Sequence, residues 1–155
     1  MDRGSTERFR TIVVGRPRGG ITVEIPFDPS GPWGELDAYH VNGTVGGQMF
    51  RGVLTRDDGA WALRLGPSWC RWPGFGSGDE IEVVMAPEGP RTSTMGGDVE
   101  AAFAAEPAAA RFFDSMPSFY RNNLARWIED AKRPETRARR VAESVDLAKQ
   151  GKRER

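Results

Sequence analysis

Between Glu7 and Ala86 apolar residues recur at every second position in short runs, and glycine or proline interrupts each run. Alternation of this kind places successive side chains on opposite faces of an extended chain, so each run predicts a strand with one dry side. Six such runs occur: Glu7–Gly15, Gly20–Ile25, Ala38–Val45, Gln48–Thr55, Gly59–Leu65 and Glu80–Ala86. Ile21, Val23 and Ile25 share one face of the second, Trp61, Leu63 and Leu65 one face of the fifth, and Ile81, Val83 and Met85 one face of the last. Strands with a single dry side require a closed barrel or a sandwich. Arg18-Gly19-Gly20, Gly46-Gly47 and Asp57-Asp58-Gly59 supply tight turns, because they contain residues that tolerate positive φ.

Two longer connections, Phe27–Gly34 and Gly66–Gly78, contain prolines and tryptophans and are expected to hold a helical turn each. They belong to a short internal echo. Gly20–Pro26 followed by a Trp-Gly resembles Gly59–Leu65 followed by Pro67, Trp72 and Gly74. Half-units offset by about forty residues predict a barrel with an internal pseudo-twofold axis. A barrel holding both halves in one chain needs no second copy to complete its sheet, so a monomer is expected.

At Asp98 the pattern changes. Alanine becomes frequent, glycine is absent until Gly151, and the apolar spacing becomes three and four, as in Phe112, Met116, Phe119 and Tyr120, then Leu124, Trp127, Ile128 and Ala131. This is the signature of helices with one dry stripe. Pro107, Pro117 and Pro134 mark first turns, where a missing N–H costs little. The last helix is expected over Glu135–Gln150 with Gly151 as its stop, its final turn fraying into Lys152–Arg155. The expected architecture is therefore mainly β plus α: a six-stranded barrel over about residues 7–92, then three to four short helices. The domain boundary falls at 95/96.

The single Cys70 cannot form an internal disulfide, and the Ile12-Val13-Val14 run is too short for a signal sequence. No stretch is long and apolar enough to span a bilayer, so a cytoplasmic location is expected. The zero net charge hides an asymmetry: residues 1–120 hold 11 Lys/Arg against 16 Asp/Glu, and residues 121–155 hold 11 against 6.

The string Trp127-Ile128-Glu129-Asp130-Ala131-Lys132-Arg133-Pro134-Glu135-Thr136-Arg137-Ala138-Arg139-Arg140, with Gly151-Lys152-Arg153, resembles the helical YdeI/OmpD-associated domain, often labelled bacteriocin protection. Upstream, Gly20–Pro26, Val41–Thr44, Phe50–Leu54 and Gly78–Val83 resemble the small-barrel domain of unknown function that commonly precedes it. The resemblance implies a double-split barrel similar in architecture to AbrB/MazE-type barrels. It implies no activity. It also marks Trp69-Cys70-Arg71-Trp72-Pro73 as a departure, since relatives carry a basic, less aromatic stretch there.

The residues offer no recognisable catalytic constellation. One histidine and one cysteine cannot make a His/Cys metal site unaided, and the glycine clusters lack the context of a phosphate loop, so neither a metal nor a cofactor is expected. Cys70 beside Arg71 has no paired base, and His40 alternates with Tyr39 and Val41 to face away from the core. Tryptophans outside regular strands are more suggestive. They either close the barrel ends or form the floor of a ligand site. The candidate ligand-binding set is Trp33, Arg51, Trp69, Arg71, Trp72, Arg91, Tyr120 and Trp127. Arg133, Arg137 and Arg140 share one helical face, which either engages acidic strand residues such as Glu24 and Glu82 or binds nucleic acid. The leading expectation is a non-enzymatic binding module for a small molecule or peptide, in a stress or self-protection setting. The alternatives are a DNA-binding regulator using the basic helix, or an enzyme with an unfamiliar site built on Arg51, Asp79 and Tyr120.

Overall fold

The computed structural model describes residues 5–69 and 76–155. The chain forms two compact units, Met1–Pro87 and Glu88–Arg155. The first contains β1 (Glu7–Gly15), β2 (Ile21–Ile25), a short helix α1 (Ser30–Trp33), β3 (His40–Val45), β4 (Gln48–Asp57), β5 (Ala60–Leu65) and β6 (Glu80–Pro87). All neighbouring strands are antiparallel. They close in the order β1-β2-β5-β4-β3-β6, so no strand edge is left to pair with another chain.

The alternation read from the sequence is the inside-outside pattern of this ring. Val13, Val23, Val41, Val45, Leu63, Val83 and Met85 are fully buried within it. Adding 40 to the numbers of β2 and β3 gives β5 and β6, and adding 41 to β1 gives β4. The pairing register obeys the same shift. Ile21 faces Leu65 as Trp61 faces Ile25; Gly43 faces Met85 as Val83 faces Val45; and Arg10 faces Glu82 as Arg51 faces Asn42. The echo between Gly20–Pro26 and Gly59–Leu65 is therefore the trace of an internal twofold, with its two strands side by side at the centre.

One barrel end is closed by aromatic rings. Phe9, Phe27, Trp33, Tyr39 and Trp61 follow one another at centroid distances of 5.4–6.3 Å. Trp33 Nε1 donates to the Ser5 carbonyl at 2.8 Å. The Tyr39 hydroxyl donates to Gly34 O and accepts from Leu36 N, so the buried polar atoms of this plug are satisfied.

The second unit holds a 3₁₀ turn (Thr92–Thr94), α2 (Gly97–Ala104), α3 (Pro107–Ser115), α4 (Ser118–Glu129) and α5 (Pro134–Lys149). The units divide ahead of the change in composition at Asp98. The stretch Glu88–Gly96 ahead of α2 belongs to the helical unit through its hydrogen bonds, which composition does not register. Phe103 and Phe113 lie at the centre of this core, their rings 5.2 Å apart, whereas Phe119, assigned to the dry stripe from its spacing, is 65% exposed. The final turn of α5 does not fray. Gly151 has φ +69°, its N–H reaches Ala148 O at 3.1 Å, and Lys152 N–H reaches Leu147 O at 2.9 Å. This Schellman closure turns the chain back.

Gly43 is the tightest point of the ring. Its φ is +155°, and a Cβ there would lie 1.8 Å from the Val84 carbonyl oxygen on β6. Gly43→Ala is expected to destabilise the barrel by about 1–3 kcal/mol or more through overpacking and backbone strain. Urea unfolding compared with the wild type measures this, and an unchanged midpoint would show that β3 can move away freely.

Candidate functional site

The residues singled out from the sequence are distributed over both units. In the barrel unit, Trp33 is part of the aromatic plug and 2% exposed. Trp69 packs partly buried against the barrel core, and its Nε1 donates to Met49 O at 2.7 Å while its carbonyl accepts from Gln48 Nε2 at 2.8 Å. Arg51 is exposed on the outer face of β4. Asp79 closes a turn by accepting from Gly76 N. Cys70, Arg71 and Trp72 lie outside the described residues.

In the helical unit, Tyr120 and Trp127 stand seven residues apart on α4, two turns along one face. The chain returning from the Gly151 turn passes beside this face. Arg153 lies over the Tyr120 ring at 5.4 Å, and Arg155 over the Trp127 ring at 4.3 Å. Arg140 of α5 also lies over Trp127, at 5.2 Å, and donates to the Trp127 carbonyl at 2.7 Å. A guanidinium within about 6 Å of a ring centroid is attracted by the negative face of the ring. Asn123, Leu124, Arg126, Trp127, Asp130, Arg153, Glu154 and Arg155 line an open groove of about 540 Å³. Three guanidinium groups, two carboxylates, a carboxamide and an indole thus meet in one place.

Of the residues lining this groove the sequence singles out Trp127, and not Asn123, Arg126, Arg153 or Arg155. The signal was present in Gly151: a glycine C-cap turns the chain, and a turned chain carries its arginines back onto the preceding helix.

The basic face of α5 is engaged within its own unit. Arg137 forms a two-pronged pair with Asp98, Nε–Oδ2 2.7 Å and Nη2–Oδ1 3.0 Å, and reaches Glu129 at 3.3 Å. Asp98 raises the pKa of this arginine, and the arginine lowers that of Asp98. Arg133 stays exposed at the start of α5. The acidic groups that pair with the stripe within its own unit are thus Asp98 and Glu129, while in the barrel unit Glu82 pairs with Arg8.

A second polar cluster lies away from the groove. Arg121 is 1% exposed. Its Nε donates to Met116 O at 2.8 Å, and its Nη1 donates to Glu88 O at 2.6 Å and Pro90 O at 2.7 Å. Asp114 accepts from the Thr92 amide and hydroxyl at 2.9 and 3.0 Å. Burial pushes the Asp114 carboxyl up and the Arg121 guanidinium down, each opposed by the other's charge. Arg91 sits close enough to act on both. Both side chains are spent on backbone and Thr92 atoms, and neither lines the groove, so this is an anchor fastening the segment after β6 to α3 and α4. Among the described residues no group of three or more His, Cys, Asp or Glu could hold a metal ion, and no helix is long and apolar enough to cross a membrane.

Arg121→Met is expected to cost about 3–5 kcal/mol, because it strands buried acceptors and removes the charge facing Asp114; Arg121→Lys recovers little, since one ammonium nitrogen replaces the two separate nitrogens from which the guanidinium donates. Helix circular dichroism during urea unfolding reads both. A carboxyl with a folded pKa above its unfolded value stabilises the fold when protonated, a contribution lost as pH rises from 3.8 through the folded pKa. The wild type should therefore lose stability relative to Asp114→Asn over that rise. A gain instead would mean that the ionised carboxylate is the favoured form.

Two family models account for nearly the whole chain. Residues 9–85 match the domain of unknown function DUF1905, and residues 92–151 match the model described as bacteriocin-protection, YdeI or OmpD-associated. No curated protein matches the chain.

Proposed function

We propose from the geometry that the chain, whose residues 92–151 match the YdeI/OmpD-associated family model, a description that names a setting and no chemistry, is a non-enzymatic binding module. Its site is the groove on α4, and its ligand is a small molecule or peptide that carries an anionic group beside a flat ring. The observation supporting this is the placement of Arg155 over the Trp127 ring, both in the lining of that groove, with Arg153, also in the lining, over the Tyr120 ring beside it. Stacked guanidiniums present paired donors to a carboxylate or phosphate, and the indole offers apolar area for a ring. Arg126 and Asn123 add donors. Asp130 and Glu154 in the same lining favour a ligand of low charge over a polyanion. Two of the three arginines on the basic face of α5 make internal contacts, which weighs against the nucleic-acid reading. The bacteriocin-protection description supports a self-protection setting.

Thermal unfolding in the presence of aromatic carboxylates and nucleoside monophosphates tests the proposal. At least one probe should raise the midpoint. Trp127→Ala, or deletion of residues 152–155, should weaken its binding by about tenfold, the equivalent of roughly 1.4 kcal/mol, while Trp33→Phe leaves it unchanged. Stabilisation indifferent to Trp127 and to residues 152–155 would place the ligand elsewhere. Binding of duplex DNA that falls steeply with salt would favour the regulator.

A further inference from the structure

The surface of the α4 groove continues past the residues that line it. Phe119 stands one helical turn before Asn123 and two before Arg126, so these three exposed side chains share one face of the helix. The Phe119 ring is 65% exposed and meets the Tyr120 ring edge-on at 5.2 Å. Tyr120 in turn carries Arg153 over its ring, and Arg153 lines the groove. A row therefore runs along α4. An apolar ring stands at its N-terminal end, a carboxamide in the middle, and guanidiniums with the Trp127 indole at its C-terminal end.

The length of this row separates two kinds of occupant. Phe119 and Trp127 are eight residues apart, about 12 Å along the helix axis. A single ring with one anionic group covers the indole and its guanidiniums but falls short of Phe119. About four residues of extended chain span the same distance, and residues four apart in such a chain point to the same side. Asn123 lies four residues from both ends, exposed and in the groove lining. Its carboxamide both donates and accepts, which suits a peptide backbone crossing between the two ring sites.

Building on the reading of the α4 groove as a ligand site, we infer that its occupant is an extended segment of a partner protein. In that segment an apolar residue stands four positions from an aromatic residue that is flanked by a carboxylate. The apolar side chain lies on Phe119 and the aromatic one against Trp127. The carboxylate lies among Arg126, Arg153 and Arg155, where three guanidiniums outnumber the carboxylates of Asp130 and Glu154. Those two acidic groups disfavour a segment with several negative charges.

Two blocked peptides test this against the full chain by calorimetry: a dipeptide of tyrosine and glutamate, and a hexapeptide of leucine, three serines, tyrosine and glutamate in that order. The hexapeptide should bind about tenfold more tightly, the equivalent of roughly 1.4 kcal/mol. Phe119→Ser should reduce it to the affinity of the dipeptide, and Trp127→Ala should weaken both peptides. Moving the leucine next to the tyrosine should also abolish the advantage. Equal affinity of the two peptides, with Trp127 still required, would overturn the inference and leave the groove as a site for a small ligand. Binding of neither peptide would overturn it as well, and would take the groove with it only if the aromatic carboxylates and nucleoside monophosphates also fail. A dimer in sedimentation that Phe119→Ser dissolves would assign the face to a second copy and overturn the inference.

Discussion

Closure of the ring where β3 meets β6 is the constraint on which the barrel depends. A six-stranded sheet left open there would expose two edges and half a core, and a chain this small has little other apolar area to spare. The closure demands an approach so close that position 43 admits no side chain. Across the twofold the corresponding position is Val83, fully buried, on the other half of the same β3/β6 pairing, so the two halves of this seam are packed by different means. The register that this seam sets decides which residues of β3 and β6 point out of the ring.

The helical unit solves a different problem. Its helices are short, and short helices are marginal without tertiary support. The phenylalanine pair at its centre supplies apolar burial, while Arg121 ties backbone carbonyls of an irregular segment to α4. A buried guanidinium with three carbonyl acceptors is a costly fastening that works only as a set. Its perturbed titration reflects burial in a structural anchor. Perturbed groups are often sought as signs of catalysis, and here the geometry of the acceptors separates the two meanings.

Much of the fold was legible because it rests on local regularities. Period-two alternation located all six strands to within two residues at each end, and proline located the starts of α3 and α5. The internal echo predicted the twofold that the register displays. Legibility failed where a contact joins residues distant in sequence. Nothing local marks Arg121 as buried or assigns Asp98 to Arg137. Spacing alone put Phe119 inside, although its neighbour Tyr120 and the helix direction turn it to solvent. The α4 groove is half visible in the sequence: Trp127 stands out by composition, but Arg153 and Arg155 follow a glycine whose capping turn, invisible to local periodicity, redirects the chain.

The internal twofold has an evolutionary side. In a barrel assembled from two identical chains, any substitution appears twice, and a residue that improves one face alters its mate as well. Fusion of the halves into one chain removes that coupling. One copy can then preserve the arrangement that keeps the sheet soluble and self-contained, while its sibling drifts under separate selection. The β1/β6 and β3/β4 faces differ in the way such freedom permits: equivalent strand positions carry Arg8, Glu80 and Glu82 on one and Met49, His40 and Asn42 on the other.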